Sequence, residues 1–179
     1  MEHNLDQTLA LLTRTPDVLA ALLRGMPTSW TLGNEGQGSW SPFDVVAHLI
    51  HAEHDNWIPR ARCILDHGED QAFAPFDREG NLSQSRDKTL DQLLSAFAQA
   101  RAASLQQLRA LNLVPADLEK KGRHPVLGTV TLSELLATWA AHDLTHLHQI
   151  SRVMAVQYGE SVGPFRKFLG VMHCAGHGA

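Results

Sequence analysis

The sequence predicts an all-α protein, a four-helix bundle with a short extra helix at its C-terminal end, in one domain over residues 1–179. Three observations predict it. Apolar residues recur every three or four positions along four long segments, which is the spacing of one helix face. Two of those segments open on helix-start signals. Strand signals are few, and the sequence has no internal repeat, low-complexity tract or long linker.

The first segment runs from about Leu5 to Leu23, with Leu5, Leu9, Leu12, Val18, Leu19, Leu22 and Leu23 at helical spacing. Thr15-Pro16 interrupts it, and Thr15 as N-cap with Pro16 at the first helical position predicts two consecutive helices or one kinked helix. The second segment begins at Ser41-Pro42, again an N-cap followed by proline. It places Val45, His48, Leu49 and Ala52 on one face and continues through Trp57, Ala61, Ile64 and Leu65 to Gly68, with Pro59 as a predicted bend. Glu69 to Arg86 is polar and long for a connection in a compact domain, and such loops often act as lids or rims. A third helix spans about Lys88 to Leu111, and Pro115 to Gly128 reads as a turn-rich connection. The fourth starts at Thr131, whose capping box with Glu134 satisfies free N–H groups at the helix start. Gly159 is the predicted stop, and Pro164 to Met172 forms a short amphipathic closing segment.

Composition excludes several classes of function. The formal charge of −4 offers no basic stripe for nucleic acid or an anionic membrane. No apolar run approaches the roughly 20 residues of a membrane span. The acidic, polar start lacks the cationic and apolar regions of a signal peptide. The two cysteines, Cys63 and Cys174, make neither a disulfide framework nor a cysteine-rich zinc site, so a cytoplasmic location is the expectation. Dinucleotide, P-loop and nucleophile-elbow fingerprints are absent, as is His-Glu-x-x-His.

The chemistry points to histidine, of which there are 11. His142 and His146 are one helical turn apart and in phase with Leu135, Trp139, Ile150 and Val153, so both face the core. Two imidazoles buried side by side leave polar nitrogens unsatisfied unless a cation takes one from each. His48 is the third candidate ligand, favoured over its neighbours His51, Glu53 and His54 by its phase with Val45, Leu49 and Ala52. Three histidines with an open position form the catalytic rather than the closed structural type of metal site. Glu53 is the candidate proton shuttle. Asp143 cannot join the same side as His142 and either holds another group or is solvated. Gln149 reads as a packed polar residue, with a hydrogen bond to a metal-bound water as the alternative, and His148 as surface or outer support. His173 and His177 with Cys174 form a weaker second set in a glycine-rich tail. His3, His67 and His124 have no partner pattern, and Cys63 reads as a core thiol.

Trp40-Ser41-Pro42, Val45-Val46-Ala47-His48-Leu49 and His142-Asp143-Leu144-Thr145-His146-Leu147-His148-Gln149-Ile150 resemble the DinB-like superfamily. That group takes in DinB/YfiT-type metal-dependent hydrolases and thiol-dependent S-transferases, among them bacillithiol S-transferases and mycothiol-dependent maleylpyruvate isomerases. The resemblance spans roughly Leu5 to Leu169. It implies a four-helix bundle, often homodimeric, with a divalent ion between helices on His48, His142 and His146. Zn²⁺ or Ni²⁺ is the first expectation, with Fe²⁺ or Mn²⁺ as alternatives.

Two functional readings follow. In the first, the ion serves a small-molecule substrate, either through activated water for hydrolysis or through a bound low-molecular-weight thiol for S-transfer. In the second, the histidines tie helices together in a non-catalytic metal-binding or stress-response protein.

Overall fold

Three capping boxes set the starts of three long helices. In each, a hydroxyl accepts from the backbone N–H three residues on, and the side chain there accepts from the cap's own N–H. The pairs are Ser41 with Asp44, Thr89 with Gln92 and Thr131 with Glu134. The computed structural model describes residues 3–78, 80 and 82–174. Its elements in chain order are α1 (Leu5–Leu23), α2 (Thr28–Thr31), α3 (Pro42–Asp55), α4 (Trp57–His67), α5 (Leu82–Ser85), α6 (Leu90–Ala110), α7 (Pro115–Leu118), β1 (Lys121–His124), β2 (Gly128–Thr131) and α8 (Leu132–Val156). Helices α1, α3, α6 and α8 make the four-helix bundle. Helix α6 packs on α1 and α3, and α8 closes against both of those.

The core has two apolar regions. One contains Leu12, Trp57, Phe73, Leu136 and Trp139. The other contains Leu19, Leu23, Val45, Leu49, Phe97 and Ile150. Arg101 touches both, with its guanidinium over the rings of Trp139 and Phe97 at 5.4 and 5.0 Å. Only 1% of Arg101 is exposed, so every charge it meets lies inside the protein. Nε and Nη2 donate to Glu53 Oε1 at 3.0 and 2.7 Å. Nη1 and Nη2 donate to Asp143 Oδ2 and Oδ1 at 2.6 and 2.9 Å. Nη1 also donates to the Leu12 carbonyl at 2.9 Å. Burial alone would lower the pKa of Arg101, but the hydrogen bonds and charges of Asp143 and Glu53 outweigh it and raise the value.

That contact with Leu12 explains why α1 does not break at Thr15-Pro16. Proline has no N–H for the carbonyl four residues back, which here is Leu12. Arg101 supplies the missing donor. Thr15 is not an N-cap; its buried hydroxyl donates to Asp143 Oδ2 at 2.6 Å. The second segment does divide, at Asn56 rather than at Pro59. A proline ring clashes with the carbonyl four residues back, and for Pro59 that is Asp55, the last residue of α3.

Three other expectations change. The connection from Pro115 to Gly128 contains α7 and most of a hairpin, with β1 antiparallel to β2 and His124 opposite Gly128. Gly159 does not stop α8 in a left-handed conformation; the helix caps on right-handed Gln157, and the Gly159 N–H donates to the Val156 carbonyl at 2.8 Å. The closing segment consists of two 3₁₀ turns, Gly163–Phe168 and Gly170–Met172, with Phe165 and Phe168 exposed. No helix among the described residues is long and apolar enough to cross a membrane.

The segment from Glu69 to Arg86 is anchored at its start. The Phe73 N–H donates to the Arg123 carbonyl at 2.9 Å, and the Phe73 ring packs where only glycine fits. A Cβ on Gly122 would lie 2.5 Å from Ile64 Cγ1 and 3.0 Å from Phe73 Cε1.

Arg101→Met should lower stability by about 3–5 kcal/mol, because it leaves two carboxylates buried without their cation. Urea unfolding measures this, and wild-type stability in the variant would show that the cluster does not hold the bundle.

Candidate metal centre

His48 comes from α3, and His142 and His146 come from adjacent turns of α8. The bundle brings their Nε2 atoms together. His142 Nε2 lies 3.2 Å from His48 Nε2 and 3.1 Å from His146 Nε2. At the usual metal–nitrogen distance, two ligands of a tetrahedral ion stand about 3.3 Å apart, and two facial ligands of an octahedral ion about 3.0 Å. The observed spacing suits either arrangement. Among the described residues, these three histidines are the one group of histidine, cysteine and carboxylate side chains so placed that they could hold a metal ion.

The outer nitrogens fix the tautomers. His48 Nδ1–H donates to the Arg78 carbonyl at 3.1 Å, and His146 Nδ1–H donates to Gln149 Oε1 at 2.7 Å. Each therefore presents an Nε2 lone pair to the centre. Both lone pairs point at His142 Nε2, which as a neutral ring can donate to only one of them, whereas a shared cation would take a lone pair from all three rings. His142 Nδ1 is buried without a hydrogen-bond partner.

Two of the imidazoles, His48 and His142, are held neutral. Burial first, and then the neighbouring His146, lower His48 to about 4. Burial, followed by His146 and His48, lowers His142 to about 2. Neutral imidazole is the metal-binding form, so the fold keeps these two donors ready well below neutral pH. Aromatic rings wall the site. Trp40 lies 4.7 Å from His48 and is nearly parallel to His146 at 6.3 Å. Trp57 meets His142 edge-on at 5.1 Å, and Phe76 meets His48 at 5.9 Å.

Glu53, the candidate proton shuttle, sits in the Arg101 cluster. Its Oε1 accepts from Arg101 and from Trp139 Nε1 at 3.1 Å, while its buried Oε2 has no partner. Asp143 is fully buried and holds Arg101 and Thr15. Gln149 supports His146 directly. His51 pairs with Asp55 at 2.8 Å and stacks on Phe76, and His54 and His148 are exposed. His173 bonds the Arg166 carbonyl at 2.7 Å, while His177 lies outside the described residues.

Sequence reasoning gave no partner to His3, which bridges Thr8 and Ser133, each at 3.0 Å. It gave none to His124, whose Nδ1 accepts from the N–H groups of Val126 and Leu127 in the hairpin turn. It also passed over Arg101 and Arg78, which carry no local motif. Cys63 is half-buried against the first apolar region.

A family model described as the DinB superfamily matches residues 11–150. No curated protein matches the chain. Among solved structures, the chain is similar to YfiT from Bacillus subtilis at 21% identity and a TM-score of 0.73, over 86% of this chain and 87% of that one. That protein is described as a probable metal-dependent hydrolase with an unusual four-helix bundle topology.

Two predictions follow from the site. Because His48 and His142 titrate lower in the fold than in the unfolded chain, the unfolded chain binds more protons below the ordinary histidine pKa of about 6.5. Their contribution to stability is complete above that pH and is lost as pH falls toward about 4. The melting temperature of metal-free protein should therefore fall from pH 7.5 to pH 5, and less steeply in His142→Ala. Gln149→Leu should weaken metal affinity by roughly tenfold or more, measured by competition with a chelator.

Proposed function

The chain belongs to the DinB superfamily, and from that premise we propose that it is a metal-dependent hydrolase of a small molecule, using Zn²⁺ or Ni²⁺ on His48, His142 and His146. The observation that carries the reading is the convergence of three Nε2 atoms, two of them with tautomers fixed by Arg78 and Gln149. A divalent cation held there supplies Lewis acidity to a ligand entering its open positions.

The protein's own residues do the rest. His48 and His146 are oriented from behind, so their rings do not have to reorganise on binding. Trp40, Trp57 and Phe76 surround the imidazoles with apolar surface and limit competing water. Three neutral ligands leave the full charge of the ion uncompensated, which favours an anionic ligand. A low-molecular-weight thiolate meets that requirement as hydroxide does, so thiol transfer to an electrophile belongs in the same assay panel.

Purified, tag-free wild type should carry about one equivalent of metal by elemental analysis, as expected of one such site. The double variant His142→Ala, His146→Ala should lose it. Wild type that takes up no metal after incubation with Zn²⁺ or Ni²⁺ would defeat the reading.

A further inference from the structure

The Arg101 cluster leaves one acceptor over. A guanidinium has five N–H donors, and Arg101 directs two to Glu53 Oε1, two to Asp143 and one to the Leu12 carbonyl. Trp139 gives its single N–H to Glu53 Oε1 as well, and Thr15 gives its proton to Asp143. Among the described residues no donor reaches Glu53 Oε2, although the Glu53 side chain is only 1% exposed. The cluster also sets two carboxylates against one guanidinium. Both the missing donor and the missing charge are those of a cation.

Glu53 lines a cavity of about 280 Å³ that opens between the end of α3, α4 and α6. Ile58, Pro59, Ala100 and Ala103 give it apolar walls. Ser104 lines it too; its buried hydroxyl turns its proton to the Glu53 backbone carbonyl at 3.5 Å and keeps its lone pairs for another donor. His54 and Arg62 are the exposed charged or titratable groups of the lining, and Arg62 Nη2 donates to Gln107 Oε1 at 3.1 Å. Solvent screens an exposed charge, whereas a buried carboxylate acts at low effective dielectric, so Glu53 sets the sign of the interior. A cavity of roughly 150 Å³ already holds a benzene ring, so this one has room for a small apolar body.

We propose that the cavity binds a small organic primary amine, with its ammonium on Glu53 Oε2 and Ser104 Oγ and its apolar body against the Ile58, Pro59, Ala100 and Ala103 walls. An ammonium brings three donors and a charge in one compact head, which suits a single open oxygen better than a planar guanidinium does. The site shares no residue with the histidine centre and does not depend on a metal.

Calorimetry on the full-length protein tests this with benzylammonium and its neutral isostere benzyl alcohol as probes. Wild type should bind benzylammonium about tenfold or more tightly than benzyl alcohol. Ala103→Phe fills the cavity from an exposed position of α6 that the Arg101 cluster does not use. It should abolish benzylammonium binding and keep the circular-dichroism spectrum of wild type. Glu53→Gln removes the charge and should bring the two probes to equal affinity; if that variant does not fold, the wild-type and Ala103→Phe comparisons still decide. Three results would overturn the proposal. No benzylammonium binding to wild type would mean that water alone meets Oε2. Equal affinity for the two probes in wild type would mean that the cavity selects only for apolar surface. Unchanged binding in Ala103→Phe would place the amine elsewhere, the histidine centre included.

Discussion

The side chain of Arg101 is the constraint on which the rest of this structure depends. A guanidinium presents its donors in a rigid planar fork, and burial requires acceptors for them. Arg101 sits on α6 and takes those acceptors from α1, α3 and α8: the Leu12 carbonyl, the Glu53 carboxylate and the Asp143 carboxylate. One side chain thereby ties all four bundle helices together at one level. Apolar packing tolerates small axial slips between helices; a fork of hydrogen bonds between 2.6 and 3.0 Å does not.

The histidine site inherits that register. Asp143 follows His142 directly, so the rotation of α8 that delivers the carboxylate to Arg101 also turns His142 and His146 toward α3. Glu53 lies on α3 beyond His48 and fixes the height of that helix by the same contact. A metal site needs its donors placed to within about half an ångström, and side chains on braced helices achieve that better than loops. Thr15 and Trp139 complete the bracing by donating to Asp143 and Glu53. Pro16 is part of the same design, because the carbonyl it leaves open is the one that Arg101 uses.

What the sequence made legible follows from this physics. The histidine pair could be read because residues four apart share a helix face, and the spacing is local. Thr131 and Glu134 could be read for the same reason. Arg101 could not, because an arginine on an amphipathic helix ordinarily reads as solvated, and its partners lie 42 and 48 residues away in sequence. Glu53 was visible as a carboxylate near a histidine, but the competing claim of Arg101 and Trp139 was not. Proline at position 16 signalled a break that a distant donor cancels. The hairpin was missed because Lys-Gly-Arg-His and Gly-Thr-Val-Thr lack the strong apolar alternation of a half-buried strand. The loop from Glu69 to Arg86 was legible as a rim by its length alone; that Phe76 and Arg78 meet His48 required the fold.

Two buried polar clusters therefore stand side by side on α8, and their saturation distinguishes their roles. Around Arg101, donors and acceptors match almost completely, with Glu53 Oε2 the one side-chain oxygen of the cluster without a partner. Such a cluster has little capacity for a further ligand beyond that oxygen, and it serves the fold. Around His142 the account does not close. His48 Nε2 and His146 Nε2 are both acceptors directed at His142 Nε2, and a neutral His142 has one proton and can satisfy at most one of them, while burial disfavours a second proton on His48 or His142. The outer nitrogens of His48 and His146 are satisfied, so the deficit lies at the centre and on His142, whose outer nitrogen has no partner. A deficit of positive charge, held in place by the saturated cluster on the neighbouring face of the same helix, is the physical basis for assigning this site to a cation.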